Sequence, residues 1–149
     1  MTSASMTQTQ PPVVLDLDAS VGALPGEVRL PLKDAWQERL RFGCGLRTLA
    51  SFREALDAAL PAFGDHGTVF MGSGDFHHLS WPLVERCIAA GAFSAARPLH
   101  VLVLDNHPDN MRFPFGVHCG SWVRRVALLP QVAHVDVVGI TSPDIGTGH

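Results

Sequence analysis

HVLVLDNHPDNM, residues 100–111, decides how this chain is read. Val101, Leu102, Val103 and Leu104 have the pattern of a short buried strand, and Asp105, His107 and Asp109 follow at once. Side chains at i, i+2 and i+4 of an extended chain share a face, so two carboxylates and an imidazole converge. At about 3.3 Å per residue a straight chain holds Asp105 and Asp109 roughly 13 Å apart. A single ion with ligands at about 2.0–2.2 Å accepts both only if the chain curls beyond the strand. Two ions about 3.5–4 Å apart relax that demand, because different ligands then serve different ions. Pro108 fixes its own φ and biases His107 away from helix, as suits a chain leaving a strand in a defined loop. The spacing alone fits equally well a strand end capped by solvated acids.

Outward from this stretch, residues 68–71 read as a short strand and Gly72, Ser73 and Gly74 as its exit turn. Ser80 is placed to cap a helix with Pro82 in its first turn, where a missing N–H is harmless. Leu83, Val84, Cys87 and Ile88 form the buried face of that helix, and Gly91 stops it. Strand, helix and strand in this order imply a parallel pair with a right-handed crossover. A helix over residues 121–129 and a strand over 135–140 repeat the pattern. Upstream, residues 13–17 read as a strand with acids at its end and residues 33–42 as a short helix, broken by Gly43, Cys44 and Gly45. A second helix over 48–60 has Leu49, Phe52, Leu56 and Leu60 at helical spacing and Thr48 as N-cap. The class is α/β with a mainly parallel sheet. Ligands of such sheets sit beyond the C-terminal strand ends. GSGDFHH (72–78), DNHPDN (105–110) and TSPD (141–144) therefore gather at one edge.

A chain of 149 residues has room for a single domain with a real core. Residues 1–12 read as a polar, disordered lead-in and 13–149 as one α/β domain. A net charge of −3 argues against nucleic acid or a membrane surface as the main partner, which leaves a small-molecule substrate. Cys44, Cys87 and Cys119 are widely spaced without C-x-x-C, so neither a disulfide framework nor a structural zinc site is expected. The lead-in lacks a secretory pattern, and no apolar run approaches the roughly 18 residues of a membrane span. A cytoplasmic location follows as the expectation.

Three segments together resemble the arginase and agmatinase ureohydrolases of the arginase-deacetylase superfamily. They are Gly74-Asp75 with His77 or His78, then Asp105-Asn106-His107-Pro108-Asp109, then His118-Cys119-Gly120. The family's G-G-D-H-S, D-A-H-x-D and H-G motifs come in the same order, and the resemblance spans residues 69–140. It implies a three-layer α/β/α fold and a binuclear manganese centre, with zinc as the other candidate. Asp105 would bridge the ions, Asp109 and His77 or His78 would hold one, and His107 the other. Metal-activated hydroxide would attack a guanidinium or amidine carbon of a small linear substrate, and His118 would shuttle the proton. In that setting Asp75 would orient a metal-bound histidine. A homo-oligomer is also compatible with the family, although the sequence offers no interface signature.

The sequence departs from the family at three points. Phe76 separates Asp75 from the histidines, which leaves His77 and His78 as alternatives. The family's late S-x-D-x-D motif is missing, since Ser142-Pro143-Asp144 keeps only S-x-D; Asp16 and Asp18 are candidates to stand in, although nothing in the sequence requires it. A chain ending at His149 thus reads as the N-terminal portion of an arginase-like fold, incomplete by itself. Two other readings follow. One is a single-zinc, deacetylase-like amidohydrolase, although Pro108 and Asp109 stand where that branch resembles H-H-G. The other is a non-catalytic truncated domain that needs a partner or its C-terminal half. Among the remaining candidates, Cys119 and His118 are chain neighbours on opposite faces and form no dyad by themselves. Arg124 and Arg125 suit either a substrate carboxylate or a solvated helix face.

Overall fold

The computed structural model describes residues 10–94 and 96–143. Most of the lead-in and the segment from Asp144 onward, with the S-x-D aspartate, lie outside them. Ordered contacts begin before Val13, because the Pro11 carbonyl accepts from Gly67 N–H and the Pro12 carbonyl from Val28 N–H, both at 2.9 Å.

The chain is mixed α/β. Its first core forms around β1 (Val13–Asp16), which lies between β2 (Val28–Pro31) and β4 (Val69–Phe70) in a three-stranded parallel sheet. Val13, Val14 and Leu15 are fully buried, as expected of a central strand covered on both faces. α1 (Lys33–Leu40) packs Trp36 and Leu40 against this sheet, and α2 (Leu46–Ala59) adds Phe52 and Leu56. Trp36 and Phe52 meet edge to face with ring centroids 5.2 Å apart.

The second core lies under β5 (Leu99–Leu104) and β7 (Val132–Val138), a parallel pair in register from His100↔His134 to Leu104↔Val138. Val101, Val103, Val135 and Val137 face inward onto Trp81, Trp122, Val123 and Val126. Trp122, Val123 and Val126 belong to α4 (Trp122–Ala127), so the expected strand–helix–strand unit is present at this end. Leu49 of α2 reaches this second core, whereas Phe52 and Leu56, about one and two turns on, belong to the first. α3 (Ser80–Ala89) divides in the same way, sending Leu83 to the first core and Val84 to the second. Among the described residues no helix is long and apolar enough to cross a membrane.

Three expectations need correcting. β4 and β5 are not partners, since β4 bonds to β1 and β5 to β7. Gly72, with φ +86°, turns the chain out of the sheet after Phe70, so β4 stops at two residues. Neither Thr48 nor Ser80 is an N-cap. α2 starts after Gly45, and the Leu46 N–H donates to the Phe115 carbonyl at 3.2 Å, which satisfies a first-turn donor without a cap. Ahead of α3 runs a 3-10 segment, Gly74–Leu79, whose His77 and His78 carbonyls accept the Ser80 N–H. Finally, Gly43, Cys44 and Gly45 do more than break a helix. β3 (Gly43–Gly45) pairs antiparallel with β6 (Gly116–His118), so the sheet content is not parallel throughout. Glycine allows this approach, because a Cβ on Gly116 would lie 2.0 Å from the Cys44 carbonyl oxygen.

Candidate metal centre

Four segments meet where β5 ends: the 3-10 run, the loop after β5, β3 and the turn before α4. In the 3-10 run residues three apart eclipse. Phe76 and Leu79 accordingly share one fully buried face, anchored in the first core. Successive residues differ by about 120° at three residues per turn, and this separates the two histidines. His78 is fully buried, with Nδ1 3.6 Å from the Cys119 Sγ and Nε2 without a hydrogen-bond partner among the described residues. Burial, then the neighbouring imidazoles of His77 and His118, push its pKa down to about 4, against a smaller opposing effect of the Leu40 carbonyl. His77 is half-buried and faces the opening.

Beyond β5 the chain doubles back. Asp105 continues the ladder, donating its N–H to the Val138 carbonyl at 3.0 Å, and its Oδ1 accepts the His107 N–H at 3.0 Å. Pro108 follows, and Asp109 takes φ +46°, a left-handed conformation that Asp tolerates better than most residues. That turn brings Asp109 back beside Asp105. One ligand atom each from His77, Asp105 and Asp109 lies within 4.8 Å of the others, so these three could hold a metal ion.

The donor set fits such an ion. Two ligands in adjacent positions at about 2.1 Å from a metal lie about 3 Å apart, and His77 Nε2 is 3.1 Å from Asp109 Oδ2. Asp109 is only 4% exposed, and the Trp122 Nε1–H donates to the same Oδ2 at 2.8 Å. Its carbonyl accepts the Val123 N–H at 3.1 Å. An outer hydrogen bond of this kind fixes a ligating carboxylate in orientation. His77 Nε2 also lies 3.1 Å from the Cys119 carbonyl oxygen. Burial opposes a charge on His77, but the Asp109 carboxylate and the contacts with Cys119 outweigh it and raise its pKa to about 10.

The other residues singled out in the sequence fall elsewhere. His107 is 53% exposed, with Nδ1 3.7 Å from Asp105 Oδ1, outside the three-ligand group but on the cavity wall. His78 is turned into the core. Asp75 pairs with Arg41 at 2.9 Å rather than with a histidine. The His118 Nδ1 accepts the Gly120 N–H at 3.0 Å, and its ring meets Phe113 edge to face at 4.7 Å, off the cavity lining. Asp16 pairs with Arg29 at 3.3 Å. Asp18 accepts from the Ser73 and Ser20 N–H groups, both at 3.1 Å. Cys44, Cys87 and Cys119 are free thiols, and burial pushes that of Cys44 up to about 11.

Sequence patterns missed Trp122, which reaches Asp109 across 13 positions, and Phe42. The latter, at φ +62°, donates its N–H to the Asp75 carbonyl and accepts from Cys119 N–H, tying the 3-10 run to the turn before α4. The site opens into a cavity of about 810 Å³ with Phe42, His77, His107, Asp109, Met111 and Arg124 on its wall. The chain matches no family model, no curated protein and no solved structure.

Proposed function

We propose that the chain is a metal-dependent hydrolase of the ureohydrolase type, cleaving a carbon–nitrogen bond of a small linear substrate. In this reading the two parallel sheets are parts of a three-layer α/β/α arrangement. The convergence of His77, Asp105 and Asp109 at the mouth of a ligand-sized cavity carries the proposal. Mixed imidazole and carboxylate donors suit manganese, with zinc next. A divalent ion supplies an activated water at neutral pH and polarises the scissile group. The chain's own residues do the rest. Trp122 holds Asp109 in orientation, Phe42 and Met111 provide apolar walls, and His107 is the cavity imidazole placed to pass a proton to the leaving nitrogen.

Binuclear and single-ion versions differ in the role of His107. With its Nδ1 3.7 Å from Asp105 Oδ1, His107 would be the residue to hold a second ion together with Asp105. Its position outside the three-ligand group favours the single-ion, deacetylase-like version, where it stays free for proton transfer.

Metal analysis of the purified chain, with urea or ammonia release from arginine, agmatine and formiminoglutamate, tests the proposal. Acetate release from acetyl-lysine, with one zinc per chain, would shift it to the deacetylase-like version. Failure to bind a divalent ion, or the absence of metal-dependent cleavage in both substrate sets, would overturn it.

A further inference from the structure

β5, whose C-terminal end leads to Asp105, carries with β7 a second group of ligand-type side chains at its other end. The two strands turn Val101, Val103, Val135 and Val137 inward onto the second core. The alternate positions face solvent, Leu104 opposite Val138, Leu102 opposite Asp136 and, at the start of the ladder, His100 opposite His134. His134 and Asp136, two positions apart on β7, share that face.

His134 Nε2 lies 2.9 Å from Asp136 Oδ1, with the two side chains 60% and 61% exposed. The His100 and His134 rings stand with centroids 6.4 Å apart, and among the described residues the His100 side chain makes no hydrogen bond or ion pair. Two donors at about 2.1 Å from one ion lie about 3 Å apart, so the imidazole nitrogen and carboxylate oxygen already have the spacing of adjacent ligands. An ion bound through a ring nitrogen stands about 3.3 Å from the ring centroid, which places two imidazoles of a tetrahedral ion about 5.4 Å apart. Rotation of the exposed His100 side chain closes the remaining distance of about 1 Å. Cross-strand partners only about 4.8 Å apart at the backbone keep that movement small.

Donor type distinguishes the two ends of the strand pair. One imidazole with two carboxylates, at His77, Asp105 and Asp109, suits manganese. Two imidazoles with one carboxylate suit zinc better. We propose that His100, His134 and Asp136 form a zinc site, with its fourth position open to water, that clips β5 to β7 on the exposed face of the sheet.

Equilibrium dialysis of the full chain against zinc, followed by metal analysis, tests the proposal. The parent is expected to retain one more zinc per chain than His100→Ala or His134→Ala, and Asp109→Asn is expected to keep that equivalent. Asp136→Asn should weaken its binding at least about tenfold. All three residues are exposed, so the variants fold as the parent does. In proton NMR spectra the ring signals of His100 and His134 should move together as this equivalent is taken up. Equal zinc content in the parent and both histidine variants overturns the proposal, as does uptake that leaves both rings' signals unmoved. The readout is metal content and ring signals rather than turnover, so this site and the hydrolase reading stand or fall separately.

Discussion

Trp122 and Asp109, 13 positions apart, share a buried hydrogen bond of 2.8 Å from the indole nitrogen to the carboxylate oxygen that also faces His77. Trp122 is 5% exposed and Asp109 4%, so water does not readily replace either partner. Trp122→Phe keeps an aromatic ring but removes the donor. The expected loss is about 1–3 kcal/mol of stability, from leaving a buried acceptor without its partner. Loss of the orienting bond should also weaken metal affinity about tenfold to a hundredfold. Thermal melts and a manganese titration of the two proteins measure both effects. An unchanged affinity would show that the indole only packs.

Asp18 ties the end of β1 to the turn that leads into His77. Its Oδ2 accepts the Ser73 N–H at 3.1 Å and its Oδ1 the Ser20 hydroxyl at 2.6 Å. Burial would raise its pKa, but these hydrogen bonds outweigh it and lower the pKa to about 2. A depressed folded-state pKa stabilises above the ordinary value of 3.8, and this contribution is lost as pH falls through about 2. Asp18→Asn is therefore expected to lower stability at pH 6 by on the order of 1 kcal/mol, and the melting point with it. The gap to the parent should close toward pH 2. Melting curves of the pair across pH 2–6 check the sign, and a gap that widens in acid contradicts the assignment.

Local periodicity made α2 legible, because Leu49, Phe52 and Leu56 recur at helical spacing, and short apolar runs made β5 and β7 legible as strands, although Leu102 and Leu104 of the run read as buried are exposed. Features that depend on contacts between distant residues were not legible. Gly43-Cys44-Gly45 reads as a breaker, and only its partner β6 makes it a strand. The 3-10 run has the spacing of Phe76 and Leu79 as its one local sign, which a reader expecting helical or strand periods passes over. At the site, residue types were legible but directions were not. Asp105 and Asp109 come together through a left-handed aspartate, and His77 and His78 part through a three-residue turn.

The candidate metal centre carries its own stability test. A ligand that binds only the folded chain adds about 2.7 kcal/mol at a hundred times its Kd, or a rise of roughly 5–10 °C in Tm for a domain of this size. Manganese is expected to produce this shift in the parent protein. Asp109→Asn is the sharpest control, because asparagine accepts the left-handed φ of +46° and its carbonyl can keep the Trp122 bond, so mainly the charge is lost. The variant should fold and lose most of the metal-dependent shift. An equal shift in both proteins would mean that the ion binds elsewhere.

The pairing of β3 with β6 delivers Cys119, and with it one of the two oxygen contacts of His77 Nε2, to the site. Gly116 is the point of closest approach, where an added Cβ would sit 2.0 Å from the Cys44 carbonyl oxygen and 2.9 Å from the Gly45 Cα. Both obstacles are backbone and cannot rotate away, so Gly116→Ala must separate the strands. The expected cost is about 3 kcal/mol, the upper end of the range for overpacking. Gly22→Ala is the matched control, since a Cβ there meets no atom within 4 Å and should change stability by no more than about 0.5 kcal/mol. Urea melts compare the two. The manganese-dependent rise in Tm should shrink in Gly116→Ala beyond what the lost stability explains, because the segment that follows β6 and leads into Trp122, the partner of Asp109, is displaced with the strand. A destabilised Gly116→Ala protein that keeps the full rise would show that the metal ligands are held by the 3-10 run and the β5 loop alone.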